Sequence, residues 1–251
     1  SLAGYTFSPS SRTINVNNAD VTGQDFVATF TPMTASPWPM FGHDAQHTGR
    51  TQYTGPSESP SSKWSRFFID GGRTQSVIGA NGTIYAVDYG YWKTLYAINP
   101  TNGGTKWSYR VEDDILHTPA VDSSGVIYIG DVAGWLYAIN SDGTLKWEKS
   151  GYFGSYNYLG APPTIGPDGN IYMVGSASLI NNAIICVKPD GSSKWRYKPT
   201  PGCPLCDISA SGLSPAIGTD GTIYFGVDND GANGTGGLVA LNPDGTLKWK
   251  H

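Results

Sequence analysis

Charge is scarce in this chain. Asp, Glu, Lys and Arg make up 14% of 251 residues, and the net charge is −4. A nucleic-acid-binding domain normally shows a basic patch; none is present, so nucleic acid is not expected as a partner. No apolar run approaches the ~20 residues of a membrane-spanning helix, and no membrane span is expected. No stretch carries a helical period. Cysteines number three, Cys186, Cys203 and Cys206. No second CxxC exists to complete a four-ligand zinc site, and Asp207 stands where haem attachment would need His. No GxSxG nucleophile elbow occurs. The chain has no initiator Met and no signal peptide and opens at Ser1 in mid-pattern, which reads as a mature or truncated product.

Turn residues and aromatics are plentiful: 33 Gly, 17 Pro, eight Trp and 15 Tyr. They fall into a repeat. Asn242–Trp249 reads NPDGTLKW, Asn140–Trp147 NSDGTLKW, Lys188–Trp195 KPDGSSKW and Asn99–Trp107 NPTNGGTKW. Each follows an apolar run, respectively LVAL, LYAI, AIICV and LYAI. Asp-Gly or Asn-Gly between apolar runs is a strong hairpin signal, because a tight turn needs residues that tolerate positive φ. A second motif precedes each copy: Ile84-Tyr85-Ala86, Ile127-Tyr128-Ile129, Ile171-Tyr172-Met173 and Ile223-Tyr224-Phe225, each after its own turn. One unit therefore has four strands, in the second unit Thr118–Val121, Val126–Gly130, Trp135–Asn140 and Leu145–Glu148. The tryptophans at 64, 107, 147, 195 and 249 lie roughly 40 to 54 residues apart, the length of a four-stranded propeller blade. The four recurrent tyrosines read as repeat packing.

Residues 38–251 resemble the pyrroloquinoline-quinone (PQQ)-type β-propeller repeat, whose motif YAxNxxTGxxxW is matched at Tyr96–Trp107 and Tyr137–Trp147, and more loosely at Val187–Trp195 and Ala240–Trp249. The resemblance implies an all-β propeller of four-stranded antiparallel blades, with Trp64, Trp107, Trp147, Trp195 and Trp249 on outer strands docked against neighbouring blades. The segment Trp38–Arg50, WPMFGHDAQHTGR, resembles the lead-in to such repeats in secreted bacterial proteins, and its aromatics suggest docking on the next domain. Gly4–Phe26 resembles the last strands of Ig-like or carboxypeptidase-regulatory-like sandwich modules. The organisation is then residues 1–32 as the end of such a module, 33–62 as a Pro-rich linker with the docking segment, and 63–251 as repeats, with blades near 63–107, 108–147, 148–195 and 196–251. Four inner-strand sets meet five outer-strand motifs, the surplus one being Lys63–Phe68. Either the propeller continues with further blades, or four blades close with that strand packed elsewhere, or another copy completes the arc.

Candidates for chemistry are few. Asp228, Asp230 and Asn233 set hard oxygen ligands around Gly, as calcium requires, or cap their own turn. Cys203 and Cys206 would form a local disulfide in an oxidising compartment; Cys186, inside AIICV, reads as a buried small hydrophobe. His43 and His47 flank Asp44 and read as docking hydrogen-bonders. His117, beside Glu112, Asp113 and Asp114, could form an acid–base group or a solvated turn. Tyr91, Trp92, Tyr152 and Tyr156 lie in insertions rich in Gly and Ser, where they could contact a partner or a glycan, or cover a blade edge. Quinoprotein dehydrogenases of the resembled fold hold PQQ with a metal and a vicinal disulfide. No adjacent cysteine pair exists here, so PQQ is not expected. The sequence thus favours a non-catalytic extracellular or cell-surface module, a scaffold, adhesin or binding platform for other proteins, its own copies or surface glycans. The alternatives are a homopolymeric fibre subunit and a quinoprotein-type or glycan-active enzyme.

Overall fold

A computed structural model gives the fold; its description covers residues 5–8, 27–30, 38–50, 61–68, 74–88, 93–152, 158–159, 161–176, 183–198, 214–227 and 237–251. β1 (Tyr5–Ser8) pairs antiparallel with β2 (Val27–Phe30), Tyr5 opposite Phe30. The stretch between them lies outside the described residues, and the Ig-like assignment rests on sequence resemblance alone.

Four antiparallel sheets follow in chain order. The first is β3 (Val77–Ile78), β4 (Ile84–Asp88), β5 (Thr94–Ile98) and β6 (Thr105–Arg110). The second is β7 (Ala120–Val121), β8 (Ile127–Gly130), β9 (Leu136–Ile139) and β10 (Leu145–Lys149). The third holds β11 (Tyr158–Leu159), β12 (Thr164–Ile165), β13 (Ile171–Ser176), β14 (Ala183–Val187) and β15 (Ser193–Tyr197), with β11 and β12 both paired to β13. The fourth is β16 (Ala216–Ile217), β17 (Ile223–Val227), β18 (Gly237–Leu241) and β19 (Leu247–Lys250). Each sheet runs inner to outer in sequence order, as propeller blades do. Among the described residues no helix is long and apolar enough to cross a membrane.

The core lies between blades. One cluster joins Tyr85, Val87 and Leu95 of the first to Ile127, Ile129 and Ile139 of the second; two more join the second to the third and the third to the fourth. β8, β9 and β14 are buried along their whole length, because both faces of a middle strand meet a neighbouring blade. The outer strands β6, β10 and β15 are exposed apart from their tryptophan and, in β6 and β15, Tyr109 and Tyr197.

That tryptophan links the blades. Trp107 Nε1 donates to Ser141 O at 2.9 Å, Trp147 to Pro189 O at 2.9 Å and Trp195 to Pro243 O at 3.0 Å. Each indole lies on a glycine of the next blade's outer turn. A Cβ on Gly143, Gly191 or Gly245 would come within 2.8, 3.0 or 2.5 Å of the ring, and all three glycines have positive φ. Within its own blade each ring meets the recurrent tyrosine: Tyr85–Trp107 at 5.8 Å, Tyr128–Trp147 at 6.0 Å and Tyr172–Trp195 at 5.9 Å. A bulge repeated in all four outer strands sets this aim. It leaves Trp107, Trp147, Trp195 and Trp249 opposite the small residues Ala97, Ala138, Cys186 and Ala240. The extra residue is a lysine each time, and Lys106 and Lys248 reach back to Thr83 Oγ1 and Thr222 Oγ1 at 2.7 and 2.8 Å.

Lys63–Phe68 departs from the expected outer strand: it joins no sheet among the described residues. Trp64 nonetheless takes the tryptophan position. Its Nε1 donates to Pro100 O at 3.0 Å, and its ring covers Gly103.

The turns depend on ionised carboxylates. Asp142 Oδ1 accepts from Thr144 N and Oγ1, and Asp190 and Asp244 do the same with Ser192 and Thr246. The Thr144, Ser192 and Thr246 hydroxyls hold these three acids below the usual carboxylate range. The Thr222 N–H, then its hydroxyl, brings Asp220 down to about 2. A folded-state value below the unfolded one stabilises the fold above the unfolded value and is lost as pH falls through the folded value. The urea midpoint is therefore expected to drop between about pH 4 and pH 2. Changing Asp142, Asp190 and Asp244 together to Asn should flatten that drop. Asp131 works in the opposite direction, since its burial raises it, and it is left intact in that comparison.

Candidate functional site at the propeller axis

Residues 38–50 cross the centre of the propeller as a strap. Ile78 N, at the end of β3, donates to Trp38 O at 2.7 Å; Val121 N of β7 donates to Pro39 O at 2.7 Å; Ile217 N of β16 donates to Ala45 O at 2.6 Å. On the third blade, His47 Nε2 bonds Thr164 Oγ1 of β12 at 3.3 Å. Innermost strands of all four blades thus hold one segment. The segment is held on the propeller, at its axis. Pro39 suits the task, because a residue that offers only its carbonyl to the blade does not need an N–H.

The strap folds through two tight turns, with His43 N donating to Met40 O and His47 N to Asp44 O, and Gly49 N closes them onto Gly42 O at 2.8 Å. His43 and His47 both have positive φ. Asp44 is the staple: it accepts from Thr48 N and Oγ1 and from His43 Nδ1. Partial burial would raise its carboxyl, but the Thr48 bonds outweigh this and hold it low. Burial pushes the His47 imidazole below its usual range, against the Asp44 charge. The two histidines face different partners and so act as hydrogen-bonders, as the sequence suggested.

The strap leaves a cavity at each end of the inner strands. One, of about 540 Å³, lies between Pro39, Met40, Ala45 and Gln46 and the turns at Asp122, Gly166 and Thr219. The other, of about 240 Å³, is lined by Phe41, Gln75, His117 and Pro162. The one carboxylate at the larger cavity, Asp122, is committed to Ser124 N, Val126 N and the Tyr128 hydroxyl. PQQ carries three carboxylates, and among the described residues no Lys or Arg lines either cavity to meet them. The residues present do not fit that cofactor.

The other sequence candidates divide. Asp113 accepts from Lys93 Nζ at 3.2 Å and from Asp114 N, while His117 lines the smaller cavity with Phe41. Tyr152 takes the second of its two readings, covering a blade edge rather than contacting a partner: it is 8% exposed, and its hydroxyl donates to Gly191 O at 2.8 Å. The Gly191 turn leaves one carbonyl facing the second blade's edge, and the tyrosine covers it. Tyr91, Trp92, Tyr156, Asp228, Asp230, Asn233, Cys203 and Cys206 lie outside the described residues. Among the described residues no three of His, Cys, Asp or Glu gather as a metal would require.

Cys186 is buried on β14 beneath Trp195, and burial pushes its thiol up to about 11. The thiolate is the reactive form. Cys186 is therefore expected to resist iodoacetamide at pH 8 in the folded chain and to alkylate once unfolded in urea, read from the mass of its peptide. The axial donors Ile78 N, Val121 N and Ile217 N were not foreseen. Backbone groups have no residue-type signature, and only the aromatic, Met-containing strap hinted at a receptor.

The family model described as outer membrane protein assembly factor BamB matches residues 45–198 and 92–251. The chain belongs to this PQQ-like, BamB-type repeat family. No curated protein matches the sequence. Similar solved structures include the quinohemoprotein alcohol dehydrogenase ADHIIG from Pseudomonas putida HK5, with TM-score 0.68, 15% identity, and coverage of 87% of this chain and 40% of that one. A europium-containing methanol dehydrogenase gives 0.65 at 14% identity, covering 87% and 49%. BamB from Moraxella catarrhalis gives 0.54 at 18%, covering 76% and 51%. At these identities the likeness shows the propeller fold alone. The chain spans about half the length, or less, of these PQQ-like structures.

Proposed function

We propose that the chain is a non-catalytic propeller scaffold that binds other proteins. The strap carries this reading. A concave axial channel is where a fold of this kind offers a small molecule most of its buried contact, and here the chain's own residues 38–50 cross it, hydrogen-bonded to Ile78, Val121 and Ile217 and dividing the space into two smaller cavities. Binding then falls to the outer loops. The description of the matching family model as an assembly factor supports a protein partner. Tyr91, Trp92 and Tyr156 are the proposed contacts, because aromatic side chains dominate the energetic centres of interfaces. An extracellular or cell-surface setting goes with this proposal and rests on the Ig-like resemblance of Gly4–Phe26. Calcium at Asp228, Asp230 and Asn233 would fix a loop and take no part in a reaction.

The test is a photo-crosslinking residue placed at Trp92 or Tyr156, with exposed Lys146 on β10 as control, exposed to an extract of the source cells. One and the same protein is expected on the first two positions and none on the third. Dye reduction by an alcohol in the presence of added PQQ and calcium would overturn the proposal.

A further inference from the structure

The strap meets the inner strands of three blades through the same main-chain group and skips that group in the third blade. The turn after each innermost strand fixes which way the group points. Gly79 N donates to Thr83 O, Asp122 N to Val126 O, Gly166 N to Asn170 O and Gly218 N to Thr222 O. The residue before each is Ile78, Val121, Ile165 or Ile217. It therefore sits in a pair without hydrogen bonds, and its N–H and C=O point out of the sheet toward the axis. Ile78, Val121 and Ile217 donate to Trp38 O, Pro39 O and Ala45 O. Ile165 N has no acceptor, and Ile165 O no donor, among the described residues. The path of the strap explains this. Between Pro39 on the second blade and Ala45 on the fourth it makes the turn from Met40 O to His43 N, and it touches the third blade only by a side-chain bond, His47 Nε2 to Thr164 Oγ1.

Ile165 is 8% exposed and lines the cavity of about 540 Å³ beside the strap. Buried main-chain groups without partners are rare in folded proteins, so this pair of groups marks a seat.

We infer that the third blade seats an extended, uncharged segment of a partner protein, which pairs with Ile165 as a single β-bridge and sets an aliphatic side chain into the cavity. The inference rests on the scaffold reading and adds an axial seat to its outer-loop contacts.

The chain itself displays this mode of binding. Trp38 makes an isolated antiparallel bridge with Ile78. Ile217 engages the strap through both groups, its N–H on Ala45 O and its C=O accepting from Gln46 Nε2 at 2.5 Å. Ile165 offers the same donor and acceptor at the same place in its blade. A peptide main chain meets both at once, as an added strand does; an aldehyde or ketone meets only the donor. The floor of the cavity suits an aliphatic side chain, because Met40, Val121 and Ile165 are apolar and buried. Its mouth is neutral. Ser123 and Thr219 supply hydroxyls, and Asp122 is committed to its own turn. Among the described residues no Lys or Arg lines the cavity, so a carboxylate there would lose its water without gaining a partner.

The probe is the capped peptide acetyl-Ala-Ala-Leu-Ala-Ala-amide, titrated into the isotope-labelled full chain and followed by NMR. It is expected to shift the Ile165 amide and to slow its exchange about tenfold or more, while the amides of Ile78, Val121 and Ile217 keep their positions. The same peptide with Glu in place of Leu should bind at least about tenfold more weakly. Ile165→Pro removes an N–H that takes no part in the sheet ladder, and it should weaken the leucine peptide about tenfold. Thr219→Trp, at an exposed position on the mouth, should block the seat and keeps the inference testable if the proline variant does not fold. An unmoved Ile165 amide at about 10 mM peptide would overturn the inference, and so would equal affinity in the Thr219→Trp variant. Shifts at Ile78 and Val121 in place of Ile165 would mean that the peptide displaces the strap, and would overturn it as well. The outer-loop reading fails separately, by the absence of crosslinks at Trp92 and Tyr156, which this titration does not involve.

Discussion

Trp147→Ala is expected to lower the stability of the chain by about 3–4 kcal/mol, near the usual cost of deleting a large packed aromatic side chain. Trp249→Ala should cost less than about 1 kcal/mol, in line with its partly exposed position. The residue type, strand position and bulge are the same in both, so the difference isolates the inter-blade half of the contact. Trp147 loses three things at once: the Pro189 carbonyl, the Gly191 surface and the Tyr128 ring. Of these three, Trp249 loses only its tyrosine ring, Tyr224, among the described residues. Trp147→Phe should recover all but about 1 kcal/mol, the net worth of the indole hydrogen bond. Urea unfolding of the three variants, read at the midpoint and slope, checks the ordering. Equal losses at 147 and 249 would mean that the contact with the next blade contributes nothing.

The repeat that makes this prediction was legible in the sequence, because its parts are residue types with narrow physical uses. Asp-Gly specifies a turn with positive φ, and the glycine must stay bare where Trp195 crosses Gly245 at 2.5 Å from a would-be Cβ. The recurrent tyrosines were read as packing and are so: Tyr128 and Tyr172 donate to Asp122 and Asp168 of their own turns at 3.0 Å. Cys186 was legible from the apolar run around it. The bulge was not, although lysine precedes every tryptophan of the repeat. A lysine on an outer strand looks like any solvated residue until register shows that it is the extra one. The choice between the two readings of Tyr152 was not legible for a related reason. Its Gly-rich surroundings resemble an exposed loop, and the carbonyl that claims it belongs to Gly191, far away in sequence.

The axial site was the least legible part, because it is made by main-chain atoms. The sequence marked residues 38–50 as a docking segment through Trp38, Met40 and Phe41, and nothing in the side chains of Ile78, Val121 and Ile217 marked them as receptors. What makes each a receptor is its place at the end of a two-residue inner strand, where one N–H faces away from the sheet. An N–H of this kind must find an acceptor or lose about 1–3 kcal/mol when buried, so the strap completes the blades as much as the blades hold the strap.

Gly42→Ala tests that coupling. Gly42 has a φ of 69°, and a Cβ there would lie 2.8 Å from both Cα and Cβ of His47. An alanine meets the left-handed penalty of about 1–2 kcal/mol. It also meets a backbone clash that only opening the Gly42–Gly49 loop can relieve. The loop is stapled by Asp44 to Thr48 and pinned through Ala45 O to Ile217, so opening it withdraws the acceptor from the fourth blade. The expected loss is about 3 kcal/mol in all, the local strain plus one or more buried N–H groups left without a partner. The distinguishing readout is local. Amide exchange at Ile217 should accelerate first and most, with Val121 and Ile78 following as Pro39 and Trp38 loosen. Ile139, deep between the first and second blades, should keep its protection up to global unfolding. Equal acceleration at Ile139 and Ile217 would mean that the strap is not a separable unit. Unchanged exchange at Ile217 would mean that the strap does not depend on the Gly42 turn.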